Sequence, residues 1–268
     1  GLCGCGVSDA DSDGDGIPDC NDDYPDGPNP GVPGSLQQAI RDAADGDTIT
    51  LGQGTYIALE TESAVFSVDG MSLAIRGVTG ESGDSLTVID GEGLRRCGLV
   101  VNAAEFVLQN VQLINGGMPG DGGVTGGGGL LAIQSDVTLR GCVFLDCQLP
   151  HELPSDPSGG GASLILCDAE IEACRFESCT AAYGGGLCLL QSPSTVVDCQ
   201  FVRNTSFVGG GTEVRGVGGT PVSFIRCSWL LNQARSLDES YGEGGGLVAQ
   251  QASMTLLKKV RISFSVTT

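Results

Sequence analysis

Short apolar stretches, each four to six residues long, recur along most of the chain with Gly, Asn or Asp between them. Ala64–Val68, Leu73–Val78, Leu86–Ile89 and Gly98–Val101 are examples, and stretches of this length bounded by turn residues predict strands. Thr48-Ile-Thr-Leu51 and Thr55-Tyr-Ile57 begin the series. The segment Ser35-Leu-Gln-Gln-Ala-Ile-Arg-Asp-Ala-Ala44 is different, because Leu36, Ile40, Ala43 and Ala44 share one helical face. Ser35 and Gln38 read as an S-x-x-Q capping box, and Gly46 ends the helix. A helix placed there is expected to cover an otherwise open sheet edge.

The strands repeat with a fixed phase. Glycine runs end at Gly129, Gly161, Gly186, Gly211 and Gly246, so the gaps are 32, 25, 25 and 35 residues. The two long gaps hold polar insertions, Leu149–Ser158 and Gln233–Glu243. After each run comes a second landmark: Cys142-Val-Phe144, Cys174-Arg-Phe176, Cys199-Gln-Phe201 and Cys227-Ser-Trp229. A period of 25 residues with alternating apolar positions predicts one winding of a β-solenoid per repeat. Successive windings lie about 4.8 Å apart, so equivalent side chains stack into ladders. The predicted inner columns are Val111, Cys142, Cys174, Cys199, Cys227, Val260 and Leu113, Phe144, Phe176, Phe201, Trp229, Ile262. Cys147, Cys179, Asn204 and Asn232, three residues past the aromatic, form an expected turn ladder. The glycines suit tight corners that leave no room for a Cβ or need φ > 0. No G-K-[ST] follows them, so they are not phosphate-binding loops.

Phe201-Val-Arg-Asn204 and Trp229-Leu-Leu-Asn232, each followed by a Gly-Gly-x-apolar element, resemble the FxxN and GGA[ILV] repeats of polymorphic outer membrane proteins. The resemblance covers roughly residues 106–265 and implies an all-β chain, a right-handed parallel β-helix of the pectate-lyase-like type displayed on a surface or secreted. Gly46-Asp-Thr-Ile-Thr-Leu51 is similar to the start of such β-helices. In two units Cys stands where the motif has Asn. About eight or nine windings are expected over residues 35–268.

The N-terminal 34 residues have another character. Asp11-Ser-Asp-Gly-Asp-Gly-Ile-Pro-Asp-Cys-Asn-Asp22 places carboxylates at Asp11, Asp13, Asp15, Asp19 and Asp22, with Gly16 for a sharp turn and the Ile17 carbonyl as a further oxygen. Such oxygens converge on a hard cation, and Ca²⁺ relieves the mutual repulsion of the acids. The segment resembles a thrombospondin type 3 repeat, which implies Ca²⁺ binding and a disulfide from a nearby Cys such as Cys20. It departs from an EF-hand, since position 12 is Asp22 and no amphipathic helix flanks it. The other reading is a solvated acidic linker. Residues 24–34, rich in Pro and Gly, mark the boundary between this segment and the solenoid.

Composition narrows the function. The chain has 13 Lys+Arg against 33 Asp+Glu, a formal net charge of −20, which disfavours nucleic acid and anionic membrane surfaces. No apolar run approaches the roughly 18 residues of a membrane helix. Twelve Cys in 268 residues point to an oxidising compartment. The chain opens Gly-Leu-Cys without Met or an apolar leader, and is read as processed or incomplete. Parallel stacking holds Cβ atoms slightly beyond disulfide range, so Cys142, Cys174, Cys199 and Cys227 are expected to be free and inert. Cys147 with Cys179 is the better disulfide candidate, and no CxxC supports a zinc site around the single His151.

Three functions compete. The first is a non-catalytic secreted or cell-surface structural or adhesive module, with other copies of itself, neighbouring extracellular proteins or glycans as partners. The second is a polysaccharide lyase or glycoside hydrolase, for which Asp168, Glu170, Glu172 and Asp198 are scattered acids and Arg175 and Arg203 possible bases. The third is a filament subunit joined through open solenoid ends. The first is preferred, with the two insertions as contact surfaces and no catalytic residue assigned.

Overall fold

In the computed structural model the described residues are 3–4, 10, 18–21, 27–118, 126–150, 158–235, 244–257 and 261–263. They form a parallel β-solenoid with one α-helix, Ser35–Asp42. Every pairing between named strands is parallel, and apart from the short pair Thr205–Ser206 with Gln233–Ala234 the strands lie on three faces. Face one runs through Ala64–Asp69, Arg96–Val101, Leu130–Ile133, Ala162–Ile165, Leu187–Leu190 and the start of Thr212–Ile225. Face two runs through Asp47–Thr50, Leu73–Arg76, Phe106–Gln109, Asp136–Arg140, Asp168–Glu172, Ser194–Val197 and the end of Thr212–Ile225. Face three is an eight-stranded sheet from Gly54–Tyr56 to Arg261–Ser263.

The solenoid has about six turns, fewer than the eight or nine windings expected from the sequence. The eight strands of face three include one from a partial winding, Gly54–Tyr56, which follows Asp47–Thr50 of face two with no strand of face one before it; Arg261–Ser263 follows Leu247–Leu257, which runs along faces one and two.

The predicted ladders are present. Phe144 pairs in register with Leu113 and Phe176, Phe176 with Phe201, and Phe201 with Trp229. Their rings stack at 4.6, 5.0 and 5.2 Å between centroids, and all four are fully buried. Val260 lies outside the described residues. Each winding bends at corners held in the left-handed region. The corner between faces two and three uses Asn110, Gly141, Ala173, Asp198 and Arg226, with φ between 51° and 60°. Where windings touch, glycine leaves no room for a side chain: a Cβ on Gly161 would stand 2.5 Å from the Gly186 carbonyl oxygen.

The turn ladder is built from two kinds of side chain. Asn204 Nδ2 donates to the Phe176 carbonyl at 2.9 Å, and Asn232 Nδ2 donates to that of Phe201 at 2.9 Å. Asn204 Oδ1 accepts the Cys179 N–H at 2.9 Å. Cys179 Sγ lies 3.5 Å from the Phe144 carbonyl and Cys147 Sγ 3.6 Å from that of Leu113, so thiols occupy the donor role of the Asn amides. Cys147 and Cys179 are therefore free, not disulfide-bonded, and so are Cys142, Cys174, Cys199 and Cys227. Stacked parallel Cα–Cβ vectors point the sulfurs toward carbonyls instead of turning them into bonding geometry.

The helix covers the edge of face one. Leu36 and Ile40 are buried against the core, Ala43 is partly buried and Ala44 is exposed. Gln37 exchanges both amide bonds with the backbone of Ser67, accepting its N–H at 2.5 Å and donating to its carbonyl at 3.3 Å. The capping box does not form. Gly34 at φ 80° is the N-cap, Ser35 Oγ donates to the Asn29 carbonyl, and Gln38 donates to Asp42. Residues 27–34 pack on the first winding, where Tyr56 donates to the Pro28 carbonyl and the Gly31 N–H to that of Thr55.

Candidate functional site

Three regions carry groups capable of chemistry. At the N-terminus, Asp11, Asp13, Asp15, Ile17 and Asp22 lie outside the described residues. Asp19 is described and opens a short turn, Asp19–Asn21. Its N–H donates to the Ala10 carbonyl at 2.8 Å, and the next residue, Cys20, is disulfide-bonded to Cys3 with a Cα separation of 5.8 Å. Ala10, just before the acidic stretch, and Asp19, within it, are thus held together.

The second region is an open groove of about 520 Å³ along face two. Glu105, Asp136, Asp168 and Glu170 line it, with Thr138, Thr195 and Ser223 on the neighbouring rungs. Asp136 and Asp168 are directly in register on adjacent windings, as are Thr138 and Glu170. Strand alternation turns these side chains outward while Val137, Leu139 and Ile171 fill the core. Of the acids named from the sequence, Asp168 and Glu170 enter the groove; Glu172 pairs with Arg140, and Asp198 pairs with Arg226 outside it. The expected bases are engaged elsewhere, since Arg175 and Arg203 both bind Glu177. Asp136 and Glu105 were not singled out from the sequence. The signal was available for Asp136: it precedes Asp168 by the same 32 residues that separate Gly129 from Gly161.

The third region was not anticipated. On the outer side of face one, Leu131, Ser163, Cys188 and Glu213 stack in register. All four are buried, and corner glycines lie against them: a Cβ on Gly159 would stand 3.1 Å from Ser163 Cα, and one on Gly209 would stand 3.1 Å from Glu213 Cβ. Ser158 Oγ donates to the Tyr183 carbonyl and accepts the Tyr183 N–H, which ties one corner to the next. Glu213 is fully buried and is held by Arg215 at 2.8 and 3.1 Å; the guanidinium sits 4.0 Å above the Tyr183 ring. Burial, and then the Glu213 carboxylate, pushes the Cys188 thiol up to about 12. Cys188 is therefore a protonated, unreactive thiol at neutral pH.

Among the described residues no three His, Cys, Asp or Glu side chains are grouped to hold one metal ion, and no helix is long and apolar enough to cross a membrane. Comparison with protein families, with curated proteins and with solved structures finds no match.

Proposed function

We propose that the chain is a secreted or cell-surface structural or adhesive β-helix module of the pectate-lyase-like kind, non-catalytic and stiffened by Ca²⁺ at its N-terminus. The observation that carries this reading is the Cys3–Cys20 disulfide, which ends within the acidic stretch beside the Asp19-to-Ala10 hydrogen bond. A disulfide fits an oxidising compartment, and a sequence of closely spaced carboxylates beside it fits a hard cation. Asp11, Asp13, Asp15, Asp19 and Asp22 supply carboxylate oxygens, and Ile17 a carbonyl. The solenoid then serves as a rod, and the partners are further copies, neighbouring extracellular proteins or glycans that meet its acidic flank. Calorimetric titration of the full chain tests the cation. The expected result is saturable heat with Ca²⁺ that is abolished in the Asp13→Asn, Asp15→Asn variant. No heat from the wild type at millimolar Ca²⁺ contradicts it.

A second reading, glycan cleavage, is favoured by one observation. Asp136 and Asp168 stand on adjacent rungs of an open groove, near the spacing of about 5–5.5 Å at which paired carboxylates act in retaining glycosidases. Against it, both acids are exposed, whereas a general acid is kept protonated by a water-poor pocket. A panel of acidic and neutral polysaccharides separates the two readings. The structural reading expects no new reducing or unsaturated ends; turnover lost in Asp136→Asn and Asp168→Asn would replace it with the enzymatic one.

A further inference from the structure

The free thiols are not scattered through the core. Cys142, Cys174, Cys199 and Cys227 each precede residues that pair in register, Val143 with Arg175, Arg175 with Gln200 and Gln200 with Ser228. They therefore stand one above another at the corner between faces two and three, and all are buried. A second, shorter set lies at the next corner: Cys147 and Cys179 precede Gln148 and Thr180, which bridge in register, and the thiols of Cys97 and Cys147 reach the adjacent carbonyls of Ile114 and Leu113. The neighbours of both sets are apolar side chains and backbone carbonyls, with the Asn204 amide next in the stack beyond Cys179.

This arrangement suits one coordination geometry and rejects others. Zinc and similar ions need three or four convergent ligands, and among the described residues no such group exists. Two thiolates facing each other across a rung can instead bind one ion in line. A metal–thiolate bond is about 2.3 Å, so two of them end to end span about 4.6 Å, close to the rung spacing of about 4.8 Å. Soft sulfur ligands select soft ions. We propose that the stacked thiols form binding sites for two-coordinate, thiophilic d10 cations, each ion bridging the cysteines of two successive windings.

The pairing has a definite pattern. A thiolate sulfur bonds at bent angles and does not hold two ions on opposite sides in a straight line, so ions occupy alternate gaps. The four-thiol column takes two, Cys142 with Cys174 and Cys199 with Cys227. The three-thiol set takes one, at Cys147 with either neighbour. On binding a divalent ion, two S–H bonds break, two S–metal bonds form, two protons leave to solvent and no electron is transferred. The product is neutral, which an apolar interior favours over the charged complex left by a monovalent ion. Hg(II) is thus the tightest probe, with Ag(I) and Cu(I) weaker. Burial holds the thiols of Cys174, Cys179 and Cys97 protonated, so binding is accompanied by measurable acid release.

The test is titration of the full chain with Hg(II), added both to the native protein and during refolding, because the sites are closed to solvent. Sulfur-to-metal charge-transfer absorption gives the count, and X-ray absorption at substoichiometric loading gives the ligands. The expected result is two sulfur neighbours per ion and about three such sites per chain. The Cys174→Ser, Cys199→Ser variant is expected to fall to about one site, while Cys167→Ser and Cys188→Ser, outside both sets, keep about three. If far-UV dichroism shows the double variant unfolded, Cys199→Ser alone is expected to lose one site. One or three sulfurs per ion, or a count unchanged by Cys199→Ser, overturns the proposal.

Discussion

At the residue scale, Asn204 shows how one side chain joins three windings. It accepts from the Cys179 backbone, donates to the Phe176 carbonyl, and donates to Asn232 Oδ1 at 3.0 Å. The same column contains thiols in the preceding windings, so Cys and Asn exchange places at a position that requires a small buried donor. That equivalence makes the departures from the FxxN pattern legible in physical terms. The corner residues were not legible. Leu166, Ala173, Arg203 and Leu231 all adopt φ between 51° and 57°, and none of these residue types favours that region. Stacking imposes the conformation, not local preference. Cys188 gives a prediction at this scale. Its thiol ionises near 9.0 when unfolded and near 12 when folded. Between these values the unfolded chain holds fewer protons, so this contribution to stability is complete below about pH 9 and declines as pH rises, by at most about 1.4 kcal/mol per pH unit. Denaturation midpoints measured from pH 8 to about pH 10.5 are expected to fall, and Cys188→Ala is expected to make the fall shallower. Equal slopes in the two proteins would show that Glu213 and burial do not hold the Cys188 proton.

At the element scale, the helix and the ladders contrast. The apolar spacing of Leu36 and Ile40 located the helix, and its role at a sheet edge followed from the need to cover unpaired strand groups. The device that performs the covering was hidden, since Gln37 looks like any polar helix residue. Only the approach of Ser67, 30 residues later in the chain, gives its amide two backbone partners. The capping box failed for a related reason. Ser35 lies where the incoming segment packs on the first winding, and its hydroxyl is taken by Asn29. Long-range stacking was easier to read than these local details, because the 25-residue phase relates Gly186, Cys199 and Phe201 to their equivalents without any knowledge of the turns. Replacing Gln37 by Ala leaves the Ser67 N–H and carbonyl at a partly buried edge without partners. The expected cost is about 1–3 kcal/mol in chemical denaturation, whereas Gln38→Ala on the exposed side should cost under about 0.5 kcal/mol. Equal effects of the two substitutions would remove Gln37 as the edge cap.

At the scale of the whole molecule, about six turns present an acidic exterior over an interior of stacked aromatics, aliphatics and thiols. Alternation and period specified that division well. The face-one cluster of Ser163, Cys188 and Glu213 escaped the sequence, because an outward strand position reads as exposed until corner glycines lie against it. The central claim is that equivalent side chains of successive windings lie directly over one another. Selective labelling of Phe rings and a nuclear Overhauser experiment test it most directly. Phe176 is predicted to show ring-to-ring contacts to both Phe144 and Phe201, at centroid distances of 4.6 and 5.0 Å, and to lose them singly in Phe144→Leu and Phe201→Leu. A Phe176 ring in contact with neither would contradict the stacked solenoid and everything built on it.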